Sequence, residues 1–410
     1  MADTAPTSRT ATSLLPPEPE AAGVGPTSAP EGAPEGRAQQ DDPLARARTL
    51  LAAHPVADGF NGLARALHSL PWYDIELGES ALDTDLPRLR AGGVGAQFWS
   101  LHTAHPAPRG ADDDTDADDC AVGGTLERID RVQALVRSHS EGFLIARTAE
   151  DAADARSRGR VASFLGPAPA AAIGDSLGTL RALRDLGVHS LTLAGARWTR
   201  DGRGLTRFGV EVVREMNRCG MLVDLSGATE ETTYAVLAAA KAPVLFAHSG
   251  ARALTDHPAN VPDDVLAALG AARGLCMVGF AADRTGPRLA DVADHLDHVR
   301  ALAGPHAVGL SGGYDTGRPH PDGLPDAAAY PHLIAELLTR GWPDADIALL
   351  TWGNVQRVLR EAEFTARALS RRRGPSTARI DELDQPIRPA MLAAESRATK
   401  PAAAATETGA

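Results

Sequence analysis

Eight short apolar runs, spread over about 320 residues and separated by stretches of helical periodicity, constrain this chain more than any other feature. They are Pro55–Phe60, Val94–Leu101, Val161–Leu165, Ser190–Leu193, Met221–Leu225, Pro243–Ala247, Leu275–Val278 and Ala307–Leu310. Near-continuous apolar character over so few residues marks strands buried on both faces, as in a parallel sheet covered by crossover helices. Between the runs, Leu177, Leu180, Leu183 and Leu186 share one helical face; Val210, Val213, Met216 and Asn217 share another, ahead of a helix-ending Gly220. Strands and helices alternating in this number predict an α/β fold, a single-domain (β/α)8 TIM barrel. An open doubly wound sheet is the alternative, but no G-x-G-x-x-G opens the first helix, so a dinucleotide fold has little support.

The barrel is expected over residues 45–366. Residues 1–44 hold eight prolines among small and polar residues, too little apolar surface to offset ordering entropy, and predict a disordered tail. Residues 367–410 read as a helix end, with the solvated triplet Arg371-Arg372-Arg373, and a second disordered tail rich in Ala and Thr. The aspartates at 112, 113, 114, 116, 118 and 119 lack the central Gly and terminal Glu of an EF-hand and predict a solvated surface loop.

Hydrophobic residues make up 43% of the chain and aromatics only 4%, so the core is built mainly from Ala, Leu and Val. The net charge of −12 argues against nucleic acid or an anionic membrane as partner, since both demand a dominant basic face. No apolar run has the length of a membrane span, and the first residues lack a signal-peptide pattern. Cys120, Cys219 and Cys276 are widely spaced and odd in number, which fits a reducing compartment and excludes a cysteine zinc site. A cytoplasmic location is expected.

In a barrel the chemistry sits at the C-terminal strand ends. Those ends are Asp58-Gly59-Phe60-Asn61-Gly62, Gly166-Pro167-Ala168-Pro169, Asp224-Leu225-Ser226-Gly227, Ala247-His248-Ser249 and Ser311-Gly312-Gly313-Tyr314-Asp315. His248 and Asp315 stand out there as groups able to bind a metal or move a proton.

From about Val56 to Glu363 the chain resembles the renal or membrane dipeptidases, peptidase family M19, which are amidohydrolase-like metal-dependent barrels. The resemblance rests on the stretch from Gly92 through Val94 and Phe98 to Ser100, on Ser176-Leu177-Gly178, Leu205-Thr206, Val212-Val213-Arg214-Glu215-Met216-Asn217 and Gly220-Met221-Leu222-Val223-Asp224-Leu225-Ser226, and on Ala251-Arg252-Ala253-Leu254 and Asp294-His295-Leu296-Asp297-His298. It implies a hydrolase of dipeptides with two zinc ions, a bridging carboxylate and a metal-activated water.

Carried over residue by residue, the family's His-x-Asp pair falls on Phe60 and Gly62, its bridging Glu on Ala168, and its two later histidines on Gly227 and the retained His248. The water-handling Asp falls on Gly313 and a substrate-contacting His on Gly195, while Asp315 and the carboxylate-binding Arg252 are kept. Each replacement removes an ionisable group that would be costly to bury unpaired without metal. The expected chain is therefore a pseudoenzyme with a degenerate zinc site, needing no cofactor and carrying no catalytic residue. Its ligand-binding candidates are Arg252, His248 and Asp315, for a small carboxylated molecule or peptide. A protein partner is the other expectation, as a homodimer or a heterodimer with an active relative. The alternatives are an active dipeptidase with displaced ligands, or a metal-independent reaction in the same pocket.

For the retained groups a bland reading stands beside the sharp one. His248 could be a relic imidazole held by backbone, and Asp315 could pair with Arg318. His295 and His298, three apart on a helix, are drawn more readily as scaffold than as a metal pair. His306, His320 and His332 show no ligand spacing. Gly309-Leu310-Ser311-Gly312-Gly313 matches a nucleophile elbow, with His320 or His332 as base, but the serine should then enter a helix at once, and Tyr314 to Pro319 reads as loop.

Overall fold

The computed structural model describes residues 42–70, 72–78, 81–102 and 114–384, with the backbone alone for 114–120 and 201. Its strands, in chain order, are β1 (Val56–Asn61), β2 (Val94–Trp99), β3 (Phe143–Ile145), β4 (Val161–Leu165), β5 (Ala168–Pro169), β6 (Ser190–Thr192), β7 (Leu222–Asp224), β8 (Val244–Ser249), β9 (Leu275–Gly279) and β10 (Val308–Ser311). All eight expected strands form, with ends moved by one or two residues. The two additional strands, β3 and β5, are three and two residues long, too short to leave a periodic signal.

Every strand pairing is parallel, in the order β3-β4-β2-β1-β10-β9-β8-β7-β6-β5. A parallel bridge from Leu165 to Val188, and a hydrogen bond from the His189 amide to the Leu165 carbonyl at 2.9 Å, tie the end of β4 to the segment entering β6. The sheet thus curls round on itself inside a ring of helices, the TIM-like α/β barrel expected from the alternation. Strands β1, β2, β4, β7, β9 and β10 are buried along their whole length. The barrel interior is packed: Phe98, Leu222, Leu245, Leu275 and Met277 meet Val355, Val358 and Leu359 of the helix Asn354–Ser370 and leave about 10 Å³. Gly59 is needed there, because a Cβ on it would lie 2.5 Å from the Met277 sulfur.

The helices form where caps and apolar faces coincide. Ser176 accepts from the Thr179 amide to start Leu177–Asp185, which buries Leu177, Leu180 and Leu183. Thr206 caps Arg207–Cys219, which Gly220 ends in a left-handed conformation (φ 75°) that glycine adopts without strain. The first described helix, Pro43–Ala53, begins within the stretch assigned to the tail, with Asp42 as its cap; residues 1–41 and 385–410 lie outside the described residues. The aspartate-rich surface loop is corrected from Asp114 onward, where the helix Asp114–Ser138 begins; 103–113 lie outside the described residues.

The segment after Arg371 is also more structured than its composition suggests. Glu215, fully buried on the helix Arg207–Cys219, pairs with Arg181 and Arg218, both at 2.8 Å, and accepts from the Ser376 amide at 3.3 Å. Arg181 donates to the Ser376 carbonyl at 2.9 Å, Arg373 pairs with Glu211, and the Asp384 carboxylate accepts from the Phe208 amide at 3.0 Å. Burial works against an ionised Glu215, but the hydrogen bonds from Arg218 and Arg181 outweigh it and hold the carboxyl below its usual range.

Removing one partner of a buried, hydrogen-bonded ion network costs about 3–5 kcal/mol. Glu215→Ala is therefore expected to lower the unfolding free energy by about that amount and to open residues 373–384 to protease. Because the native pKa is depressed, the network's contribution is present above the unfolded value and is lost as the pH falls through the native one. Urea titrations at neutral and acidic pH should show the gap between variant and wild type closing in acid; a gap independent of pH would contradict this account.

Candidate functional site

Two buried carboxyls shape the barrel mouth from below. Asp58 in β1 accepts from the Gly312 amide at 2.8 Å and the Phe60 amide at 3.2 Å, joining the strand-one end to the loop after β10. Burial pushes its pKa up to about 6. Asp224, ending β7, accepts from the Ser226 amide (3.0 Å), the Ser226 hydroxyl (2.7 Å), the Ala247 amide (2.9 Å) and the Thr192 hydroxyl (2.6 Å). Burial raises Asp224 as well, against those hydrogen bonds. Both residues are at strand ends in the sequence, yet nothing there marks their carboxyls as ties between neighbouring loops.

Above them, the positions onto which the family resemblance carries metal ligands divide into filled and open. Phe60 fills one: its ring lies 4.1 Å, centroid to centroid, from the His248 imidazole and 5.9 Å from that of His102. Gly62 is filled by backbone. Its amide donates to the Tyr314 carbonyl at 2.8 Å, and a Cβ at this position would sit 2.3 Å from the Asp315 carbonyl oxygen, so no side chain fits. Ala168 is buried in β5. Among the described residues, nothing lies within 4 Å of a Cβ added at Gly195 (φ 83°) or Gly313 (φ 65°), and Gly227 (φ 75°) meets only the Ala194 methyl at 3.6 Å. All three take left-handed backbone, which a side chain would strain.

The donor set does not fit a pair of zinc ions. His248 carries an aromatic ring against it where a second ligand would stand, and among the described residues no three His, Cys, Asp or Glu side chains converge on a common point. His102 does come close from a distant part of the chain, but with Phe60 beside it and its Nε2 3.1 Å from the Thr192 hydroxyl.

The retained groups have specific partners. Asp315 does not pair with Arg318, which pairs with Asp283. Instead Asp315 (φ 60°) and Asp83 exchange hydrogen bonds, each carboxylate accepting the other's amide at 2.8 and 3.0 Å, and His320 approaches Asp83 at 3.1 Å. Burial pushes Asp315 up to about 6. Burial also works to raise Asp83, but the hydrogen bonds from His320 and the Asp315 amide prevail and hold it below its usual range. Arg252 lies half-buried, 3.0 Å from the Glu230 carboxylate and 3.3 Å from the Pro258 carbonyl. His295 accepts the Ala251 amide at 2.9 Å on Nδ1, so its proton is on Nε2, facing the Thr255 hydroxyl at 3.3 Å; burial lowers its pKa to about 4. His298 turns away to Asp263 at 2.8 Å, so the two histidines serve as scaffold and not as a metal pair. Ser311 is fully buried, its hydroxyl has no hydrogen-bond partner among the described residues, and the chain continues from it as loop, so it is no nucleophile elbow.

A curled parallel barrel with its polar groups at the C-terminal strand ends is the architecture of the TIM-barrel enzymes. The model of the membrane dipeptidase family, peptidase family M19, matches residues 44–373, and the chain belongs to that family. It is 36% identical to Dipeptidase 3 of Macaca fascicularis over 82% of this chain and 71% of that protein. Against Dipeptidase verJ of Clonostachys rogersoniana it is also 36% identical, over 79% of this chain and 88% of the relative. Among solved structures, a metallopeptidase from Rhodobacter sphaeroides, liganded with a phosphinate mimic of the dipeptide L-Ala-D-Ala, shares the fold with a TM-score of 0.66 at 24% identity, over 75% of this chain and 99% of that one.

Two expectations follow from the geometry. Gly62→Ala forces its methyl into the Asp315 carbonyl and should destabilise the fold by about 1–3 kcal/mol, the usual cost of overpacking; unchanged urea unfolding would show that the loop yields freely. Asp315, with its raised native pKa, stabilises the fold below the unfolded value near 3.8 and loses that contribution as the pH rises through about 6. Asp315→Asn, which suits left-handed backbone, should be more stable than wild type by on the order of 1–2 kcal/mol at pH 7.5 and no different below pH ~4. Thermal unfolding at the two pH values checks both halves.

Proposed function

We propose that this chain is a non-hydrolytic member of the membrane dipeptidase family, a pseudoenzyme whose barrel mouth binds a small carboxylated molecule through Arg252. The observation that carries the loss of hydrolysis is the joint blockage of two inherited metal positions: the Phe60 ring stands against His248, and the Asp315 backbone fills the space a side chain at 62 would need. Ala168 and Gly227, at two further positions, offer no side chain able to hold the metal ions that would activate a water.

The binding half of the reading is supported by the way Arg252 is held. Its guanidinium already faces a carboxylate, that of Glu230, in a pair whose side chains are 32% and 45% exposed. Pairs so exposed contribute about 0–1 kcal/mol, so an incoming carboxylate displaces Glu230 at little cost. Among the described residues, Gly195, Gly227 and Gly313 leave space at the same mouth. We also take the chain to be cytoplasmic, in keeping with the free thiols of Cys219 and Cys276.

Elemental analysis of the purified protein should find far less than one zinc ion per chain. A panel of L-L and L-D dipeptides with added zinc should give no turnover. Two zinc ions per chain, or hydrolysis that a chelator abolishes, would restore the reading as an active dipeptidase. With L-Ala-D-Ala as probe, wild type should show a saturable thermal stabilisation that Arg252→Ala removes and Glu230→Gln strengthens severalfold; an unchanged shift in Arg252→Ala would sink the assignment of that residue.

A further inference from the structure

Between the ends of β8, β9 and β10 lies a basic cluster that the reading above does not use. Arg284 belongs to the short helix Ala282–Thr285 that follows β9, and its carbonyl is fixed by the Asn260 side-chain amide at 2.8 Å. Its guanidinium reaches back to the end of β8, where one Nη1 hydrogen meets the His248 carbonyl at a long 3.3 Å. The Nε–H is buried and has no acceptor among the described residues. The adjacent carboxylate, Asp283, is committed to Arg318 on the loop after β10. His257 completes the group; its Nδ1 accepts the Ala259 amide at 3.1 Å, which places its proton on Nε2.

An arginine largely withdrawn from water that has, among the described residues, one long carbonyl contact and a neighbouring carboxylate already paired with Arg318 carries a desolvation penalty that is repaid only in part. The electrostatics agree. Burial, and then Arg318, lower the Arg284 pKa to about 10, and burial and Arg284 lower that of His257. Arg284 and Arg318 against Asp283 leave one uncompensated positive charge at the mouth of a chain whose net charge is −12. Guanidinium is the group best suited to an oxyanion, through paired N–H donors.

We propose that Arg284, flanked by Arg318 and His257, forms an oxyanion-binding subsite at the barrel mouth beside His248, taking the phosphate or carboxylate group of a small anionic ligand. The subsite uses none of the residues of the Arg252–Glu230 pair, so it stands or falls separately from the assignment of Arg252.

Inorganic phosphate and acetate serve as probes, each titrated into the full-length protein at constant ionic strength and followed by thermal unfolding, with chloride as the reference anion. At least one should give a saturable stabilisation beyond that of chloride, and the comparison of the two says which oxyanion the site prefers. Arg284→Gln, introduced into wild type or into the Arg252→Ala variant, should weaken that binding at least tenfold, and Arg284→Lys should retain part of it. Stabilisation no greater than that by chloride, or binding unaltered in Arg284→Gln, would overturn the subsite. Loss of binding in Arg252→Ala with retention in Arg284→Gln would overturn it too and leave the Arg252 reading standing. If Arg284→Gln does not fold, the side-chain Nε resonance of Arg284 in the wild type decides the matter, moving on phosphate or acetate addition if the subsite exists and staying fixed if it does not.

Discussion

The barrel mouth is organised by the loop after β10 lying directly on the end of β1. The Asp58 carboxylate takes the Gly312 amide at 2.8 Å, the Gly62 amide donates to the Tyr314 carbonyl at 2.8 Å, and the Gly313 amide donates to the Phe60 carbonyl at 3.0 Å. Backbone approaches this closely only because position 62 has no side chain. Once the loop is there, Asp315 is placed to exchange hydrogen bonds with Asp83, and His320 is drawn in behind them. A chain of contacts that begins with one missing Cβ thus decides the shape of the whole strand-one side of the site.

The opposite side, around β7 and β8, is built on a different economy of charge. Asp224 is fully buried, but four donors around its carboxylate tie β6, β7 and β8 together at their C-terminal ends. Its polar groups are internal partners of one another, whereas Phe60 presents a hydrocarbon ring to His248. The buried carboxylates of this barrel thus persist where neighbouring donors satisfy them. Arg284 is held less well, with a buried Nε–H that meets no acceptor among the described residues and one long contact to the His248 carbonyl.

Most of the architecture was legible in the sequence. Eight apolar runs and the periodicity between them predicted the strands and helices, and the family resemblance named the family that the chain belongs to. What escaped was either too short or too indirect. β3 and β5 span three and two residues. Composition misjudged the aspartate-rich stretch and the segment after Arg371, because the first continues into a 25-residue helix and the second is held by Glu215, a residue more than 150 positions away. Asp315 was matched to Arg318 on proximity in sequence, yet its partner is Asp83, brought in from 232 residues away.

What the sequence by itself determined is the fold class and the family. These depend on local pattern and on residue type, which a linear string records completely. Only the tertiary structure decided what stands at the barrel mouth: an aromatic ring against His248, a backbone loop over Gly62, a carboxylate beside Arg252 and, at Arg284, a guanidinium with one long carbonyl contact among the described residues. Burial, desolvation and hydrogen-bond partnership are properties of distance in space, and chain order carries no measure of them.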